Sequence, residues 1–194
     1  RKQITQYDLI RSVEKVLLGP ERKSHILSER EKRITAYHEM GHALIASVLP
    51  FSDPVHKVSI ISRGHAAGYT LKLPFEDKKL ESKKEFLDEI AVSLGGYAAE
   101  QIIFGDITTG AANDIAVATY VARNMVTKYG MSDKIGPIAT EAGSQKSFSG
   151  LGGITEKYSS EAVSALVDQE VSRIMAEALA EAKKVLTNHR PILD

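Results

Sequence analysis

Residues 28–48, SEREKRITAYHEMGHALIASV, contain a complete helix-start signal followed by a dense group of polar side chains. Ser28 and Glu31 form a capping box, in which each side chain accepts a hydrogen bond from the other residue's amide. Apolar residues follow at helical spacing, and Pro50 cannot continue a helix. The stretch therefore predicts a helix over residues 28–48, and its middle turn carries the side chains that matter most below.

That middle turn reads His38-Glu39-Met40-Gly41-His42. Two histidines four residues apart project from one helix face, so their rings can hold two corners of a tetrahedral zinc site. Glu39 then stands beside the metal, where a carboxylate can deprotonate a zinc-activated water. This H-E-x-x-H pattern is typical of zinc metallopeptidases, although by itself it also fits two ordinary histidines on a solvated helix face.

A further protein ligand is needed, and the motif does not supply it. In the extended form of the pattern Gly and His stand three and six residues after the second histidine, but this chain has Ile45 and Val48 there. A more distant carboxylate must serve. The pattern leaves five candidates open: Glu76, Glu89, Glu100, Asp106 and Asp114.

The rest of the chain predicts a mainly α fold, an array of about six helices with a small β-ribbon. Further helices are expected over residues 6–17, 82–94 and 111–128 and after Ser160. Gly95 and Gly96 either interrupt a helix or let a neighbour approach closely. The β-branched stretch 55–61 and residues 68–73 predict the ribbon, and the Gly- and Ser-rich stretch 143–153 predicts a loop.

Composition excludes several classes of protein. The 194 residues carry 25 basic and 25 acidic side chains, a balance that does not favour nucleic acid as a partner. Cysteine is absent, so disulfide scaffolds, thiolate metal sites and thiol nucleophiles are excluded. No apolar stretch approaches the ~20 residues of a spanning helix. No P-loop pattern occurs, so we expect no ATP hydrolysis by these residues.

Short motifs along most of the chain resemble the peptidase domain of the FtsH family, which comprises membrane-anchored, ATP-dependent zinc metalloproteases of the AAA class. The motifs are ITAYHEMGHA at 34–43, DPVHKVSI at 53–60, GYT at 68–70, GYAAE at 96–100, TTGAAND at 108–114 and YGMS at 129–132. The departures from the family pattern are modest. Met40 stands where Ala is usual and Tyr97 where Arg is usual, and neither change removes a ligand or the base.

The resemblance implies a site. It makes His38, His42 and Asp114 the zinc ligands and Glu39 the general base. Glu100 is then predicted to orient one of the histidines from behind. An exposed edge of the ribbon can also pair with an extended peptide, so we expect the ribbon to align substrate. The residues predicted for that role are Val55, Val58, Ile60, Gly68, Tyr69 and Thr70.

The resemblance also implies an organisation. Residues 1–27 resemble the end of an ATPase module and its linker, and residues 28–194 a peptidase domain that is incomplete at its C-terminus. The parent protein would have an ATPase module and a membrane anchor, placing the peptidase domain in the cytoplasm at a bacterial membrane. It would form a homohexameric ring and degrade unfolded polypeptides and membrane proteins. The alternatives are a catalytically idle, ring-forming interaction module and a small free-standing zinc peptidase.

Overall fold

The computed structural model describes residues 3–19, 27–62, 67–73, 78–140 and 160–194. Within these residues there are seven α-helices and one two-stranded sheet, which confirms the predicted mainly α fold with a small ribbon. The predicted loop at 143–153 lies outside the described residues. The helices are α1 (Gln6–Leu18), α2 (Glu29–Val48), α3 (Lys83–Ser93), α4 (Gly95–Phe104), α5 (Ala112–Thr127), α6 (Glu161–Asn188) and α7 (Arg190–Leu193).

Local hydrogen bonds explain where α1, α2 and α3 begin. Ser28 accepts from the Glu31 amide at 3.2 Å while the Glu31 carboxylate accepts from the Ser28 amide at 2.8 Å, which is the predicted capping box. Ser82 and Thr5 cap α3 and α1 in the same way. Leu94 separates α3 from α4, so the chain breaks its helix immediately before the two glycines.

The core lies where α2 crosses α4, with α3, α5 and α6 packed around them. Aliphatic side chains fill it, as expected for a chain without Trp. The largest fully buried apolar side chains are Ile45, Ile90, Met125 and Leu186. None of the helices built by the described residues is both long and apolar enough to cross a membrane.

The ribbon is shorter than the sequence predicted. Strand β1 (Val55–Ser59) pairs antiparallel with β2 (Tyr69–Lys72), so Ile60 and Gly68 lie outside the strands. The ladder ends at Ser59 because its side chain accepts a hydrogen bond from the Ile61 amide at 3.1 Å and turns the chain. Helix α1 joins this ribbon through the fully buried carboxylate of Glu14, whose Oε1 lies 2.7 Å from Lys57 Nζ.

Candidate metal centre

Three side chains from distant parts of the sequence converge at one point. His38 Nε2 lies 3.1 Å from Asp114 Oδ2 and 3.1 Å from His42 Nε2, and His42 Nε2 lies 3.6 Å from Asp114 Oδ2. Both histidines are buried and Asp114 is partly exposed. Helical spacing predicted the two histidines on one helix face, the family resemblance implied Asp114 as their partner, and in the structure the three side chains lie together.

The opposite side of each imidazole ring is held by an oxygen atom. His42 Nδ1 lies 2.7 Å from the carbonyl oxygen of Val92 in α3. Because a carbonyl can only accept, His42 Nδ1 must carry the hydrogen, and Nε2 of the neutral ring presents its lone pair to the centre. His38 Nδ1 donates in the same way to Glu100 Oε1 at 2.7 Å. Both rings are thereby fixed in the tautomer and orientation that a metal requires.

Helix α4 and the turn that follows it support this arrangement. Glu100 is almost completely buried, and its second oxygen accepts from the Thr108 amide at 2.6 Å. The chain then passes through a short 3₁₀ helix (Thr109–Ala111) into α5, whose first turn carries Asp114. Gly96 lies directly under His38, and a Cβ there would collide with the imidazole ring. The GYAAE and TTGAAND motifs therefore each place one carboxylate at the histidine pair.

The electrostatics of the triangle favour a bound positive charge. Burial opposes ionisation of Asp114, but hydrogen bonds with His38 and His42 outweigh it and lower the pKa of the Asp114 carboxyl below its usual range. Burial likewise disfavours the charged form of His38, yet its hydrogen bonds with Asp114 and Glu100 raise the pKa of the imidazole. A proton or a metal ion must therefore occupy the space between these acceptors.

The donor set fits zinc. Two imidazole nitrogens and one carboxylate oxygen are ligands that Zn²⁺ accepts in catalytic sites, with a fourth position left for water or substrate. Metal–ligand bonds of about 2.0–2.1 Å in a tetrahedron imply ligand separations of about 3.3 Å. The observed separations of 3.1, 3.1 and 3.6 Å bracket that value.

Glu39 lies beside the triangle in the same cleft. Its Oε2 accepts a hydrogen bond from the Thr70 hydroxyl at 2.9 Å, so its carboxylate is directed toward the ribbon. Burial raises the pKa of the Glu39 carboxyl, against the opposing effects of His42 and of the Thr70 hydrogen bond. A carboxyl with a raised pKa is better matched to accepting a proton near neutral pH.

The cleft is open and has a volume of about 920 Å³. Strand β2 forms one side of it, and the segment from Thr108 to Asp114 forms another. An extended chain can therefore reach the triangle and Glu39 together. The lining includes the predicted ribbon residues Gly68, Tyr69 and Thr70, whereas Val55, Val58 and Ile60 are not part of it.

Two other candidate carboxylates, those of Glu89 and Asp106, do not meet the histidines. Glu89 is partly buried on α3, where burial raises the pKa of its carboxyl against the opposing charge of Lys72. Asp106 is exposed and accepts a hydrogen bond from the next residue's amide. Glu76 lies outside the described residues. The supports that sequence reasoning missed are the Val92 carbonyl and the Thr108 amide, since main-chain groups leave no signal in a sequence.

Comparison with known proteins identifies the family. A family model described as peptidase family M41 matches residues 25–194. The chain is 48% identical over 195 residues to the ATP-dependent zinc metalloprotease FtsH of Pseudothermotoga lettingae, covering 100% of this chain and 31% of that protein. It is 47% identical over 195 residues to the protein of the same name from Thermotoga maritima, covering 100% of this chain and 32% of that protein.

The chain belongs to peptidase family M41. A third relative, the ATP-dependent zinc metalloprotease FtsH 3 of Petrotoga mobilis, is 50% identical over 190 residues, with 97% of this chain and 30% of that protein covered. The chain thus spans about a third of the length of these curated relatives. Family membership confirms the resemblance seen in the motifs. Met40 and Tyr97 remain the two departures from the family pattern noted in the sequence. Both side chains are partly buried, and Met40 packs against the core.

Proposed function

We propose that these residues form the zinc-dependent endopeptidase domain of an ATP-dependent, membrane-anchored protease. The observation that carries the proposal is the convergence of His38, His42 and Asp114 in the same cleft as Glu39. The names of the relatives support zinc as the metal and ATP-dependent proteolysis as the process. The convergence of these donors gives no support to the alternative of an idle interaction module.

In this proposal His38, His42 and Asp114 hold the zinc ion. Bound zinc would act as a Lewis acid that lowers the pKa of a water from about 15.7 to about 7. Glu39 accepts a proton from the attacking water while the water oxygen bonds to the peptide carbonyl carbon. It then delivers that proton to the amide nitrogen as the carbon–nitrogen bond breaks. Glu100 and the Val92 carbonyl keep both imidazoles oriented throughout.

Strand β2 is proposed to align the substrate. It borders the cleft, and the only strand paired with it among the described residues is β1. Main-chain pairing along its other edge would hold a peptide extended without reading its side chains. That property suits an enzyme that degrades unfolded polypeptides and membrane proteins. The proposal narrows the predicted substrate strand to Gly68, Tyr69 and Thr70, since these residues line the cleft.

The wider organisation is also a proposal. We place the boundary between an ATPase-side helical region and the peptidase domain near residue 27, just before the α2 capping box. We further propose a homohexameric ring, which requires two different surfaces of each subunit to meet. Light scattering over a concentration series should give a mass of six subunits for the full-length protein. A strict monomer at high concentration would contradict the ring.

Glu39→Gln tests the proposed chemistry. The amide keeps the size of the side chain but cannot accept the proton, so zinc should stay bound while hydrolysis of an unfolded protein substrate falls by about 10²- to 10⁴-fold. Zinc is measured by elemental analysis and hydrolysis by release of peptides from casein. Glu29→Gln is the matched control, because Glu29 lies on the exposed first turn of the same helix. Near-normal hydrolysis by zinc-loaded Glu39→Gln would overturn the assignment.

A further inference from the structure

One side chain of the ribbon reaches the proposed general base. The Thr70 hydroxyl lies 2.9 Å from Glu39 Oε2 and 3.0 Å from the Glu39 main-chain carbonyl oxygen. A hydroxyl has one hydrogen to donate, and both neighbours are acceptors, so Thr70 is the donor in this contact. The contact therefore joins strand β2 to helix α2 at Glu39, in the helical turn that carries His38 and His42.

The ribbon also restricts the stem of the same side chain. Gly68 lies so close to Glu39 that a Cβ at residue 68 would be 2.9 Å from Glu39 Cγ. The segment from Gly68 to Thr70 therefore meets Glu39 along its methylene groups, at its main-chain carbonyl and at its carboxylate. Pairing of Thr70 with Val58 in β1 fixes the position from which the hydroxyl reaches Glu39.

Resting on the proposed function, we propose that Thr70 is a positioning residue that holds the Glu39 carboxylate in its working orientation. A glutamate side chain has three rotatable bonds, and the hydroxyl selects one arrangement of the carboxylate among several. Oε2 is engaged by Thr70, which leaves Oε1 to accept the proton from water. Because Thr70 belongs to the strand proposed to pair with substrate, the same element positions both the peptide and the base.

Two substitutions in the full-length, zinc-loaded protein separate this role from a merely structural one. Thr70→Val keeps the β-branched shape but removes the hydroxyl, so kcat for an extended peptide should fall by about 10- to 100-fold with KM nearly unchanged. Thr70→Ser retains the hydroxyl and should restore most of the lost kcat. Zinc content should equal that of the wild type in both variants, since neither removes a ligand.

Crystal structures of the two zinc-loaded variants give a readout independent of activity. The Glu39 carboxylate should leave its wild-type position or occupy more than one position in Thr70→Val, and keep a single position in Thr70→Ser. An unchanged Glu39 in Thr70→Val would overturn the inference. So would an unchanged kcat in Thr70→Val, a rise in KM alone, or an equal loss of kcat in Thr70→Ser.

Glu39→Gln measured in parallel distinguishes the two levels of the proposal. If zinc-loaded Glu39→Gln retains its activity, the proposed function fails, because Glu39 is not the base. If Glu39→Gln is inactive and Thr70→Val behaves like the wild type, only the role of Thr70 fails. Loss of activity in both, with rescue by Thr70→Ser, supports both.

Discussion

Two clusters of buried acidic side chains among the described residues differ in their balance of hydrogen-bond donors and acceptors. In the first, on α6, the fully buried Glu170 accepts from Ser132 Oγ at 2.8 Å and from Arg173 at 3.1 and 3.0 Å. Lys134 adds an ion pair at 3.2 Å. Every partner supplies a hydrogen or a positive charge, so the protein itself satisfies the Glu170 carboxylate without a bound ion.

The second cluster, the candidate metal centre of His38, His42 and Asp114, has more hydrogen-bond acceptors than donors. His38 and His42 each donate through Nδ1 to an oxygen, which directs both Nε2 atoms and the Asp114 carboxylate toward one another. Acceptors at such short separations need a proton or a metal ion between them. Burial of a carboxylate therefore does not by itself indicate function, whereas an excess of converging acceptors marks a place that takes up a proton or a metal ion.

The most damaging change to this second cluster should be Asp114→Ala. It leaves two imidazoles and water to hold the metal, so we expect zinc affinity to fall by more than about 100-fold, beyond the loss typical of an outer partner. The purified variant should contain little zinc by elemental analysis. Asp106→Ala, which removes an exposed carboxylate just before the same motif, is the matched control and should retain the metal. Full zinc occupancy in Asp114→Ala would remove Asp114 from the ligand set.

Glu100→Gln should have a smaller effect on the same cluster. The amide keeps the shape of the buried side chain but cannot accept from both His38 Nδ1 and the Thr108 amide as the carboxylate does. We expect zinc affinity to fall by about 10- to 100-fold, with the site still filled at saturating metal. Competition with a chromogenic zinc chelator measures the affinity. Zinc loss in Glu100→Gln that exceeds the loss in Asp114→Ala would reverse the two roles.

The contrast between the clusters also shows what could be predicted from sequence. The starts of α1, α2, α3 and α6 could be predicted because a Ser or Thr side chain caps each of them, whereas α4 and α5 begin without a side-chain cap. The histidine pair could be predicted because helical spacing alone puts His38 and His42 on one face. Spacing could not choose among the carboxylates, since Asp114 lies 76 residues from His38 and only the packing of α5 on the core brings them together.

Contacts between distant segments account for the remaining differences. The ribbon was predicted too long because Ile60 and Ile61 are β-branched, and the Ser59 side chain that ends the ladder gives no periodic signal. The Glu170 cluster was not predicted at all. Its partner Ser132 lies in a loop, 38 residues before it, and a Ser followed by charged residues has no distinctive pattern.

The smallest effect is expected at the Glu170 cluster, from Glu170→Gln. Arg173 first, and then Ser132 and Lys134, hold the pKa of the Glu170 carboxyl at about 2 against the effect of burial. An unfolded chain has a glutamate pKa of about 4.3. Because the folded pKa is the lower one, the carboxylate stabilises the fold fully above the unfolded value. That contribution is lost as the pH falls from about 4.3 toward about 2.

Glu170→Gln should therefore lower the free energy of unfolding by about 1 to 2 kcal/mol at pH 6.5, a modest value because Arg173 and Lys134 are partly or largely exposed and screened by water. At pH 3 the difference from the wild type should shrink, since the Glu170 carboxyl of the unfolded wild-type chain is then largely protonated and its ionisation on folding costs free energy. Urea unfolding of both proteins is measured after removal of zinc by a chelator, so that release of the metal does not contribute to the free energy of unfolding.

Glu177→Gln is the matched control, because Glu177 pairs with the same Arg173 but is exposed. This substitution should change the free energy of unfolding by less than about 0.5 kcal/mol. A Glu170→Gln deficit that is equal at both pH values would mean that the side chain acts by its shape and hydrogen bonding rather than by its charge.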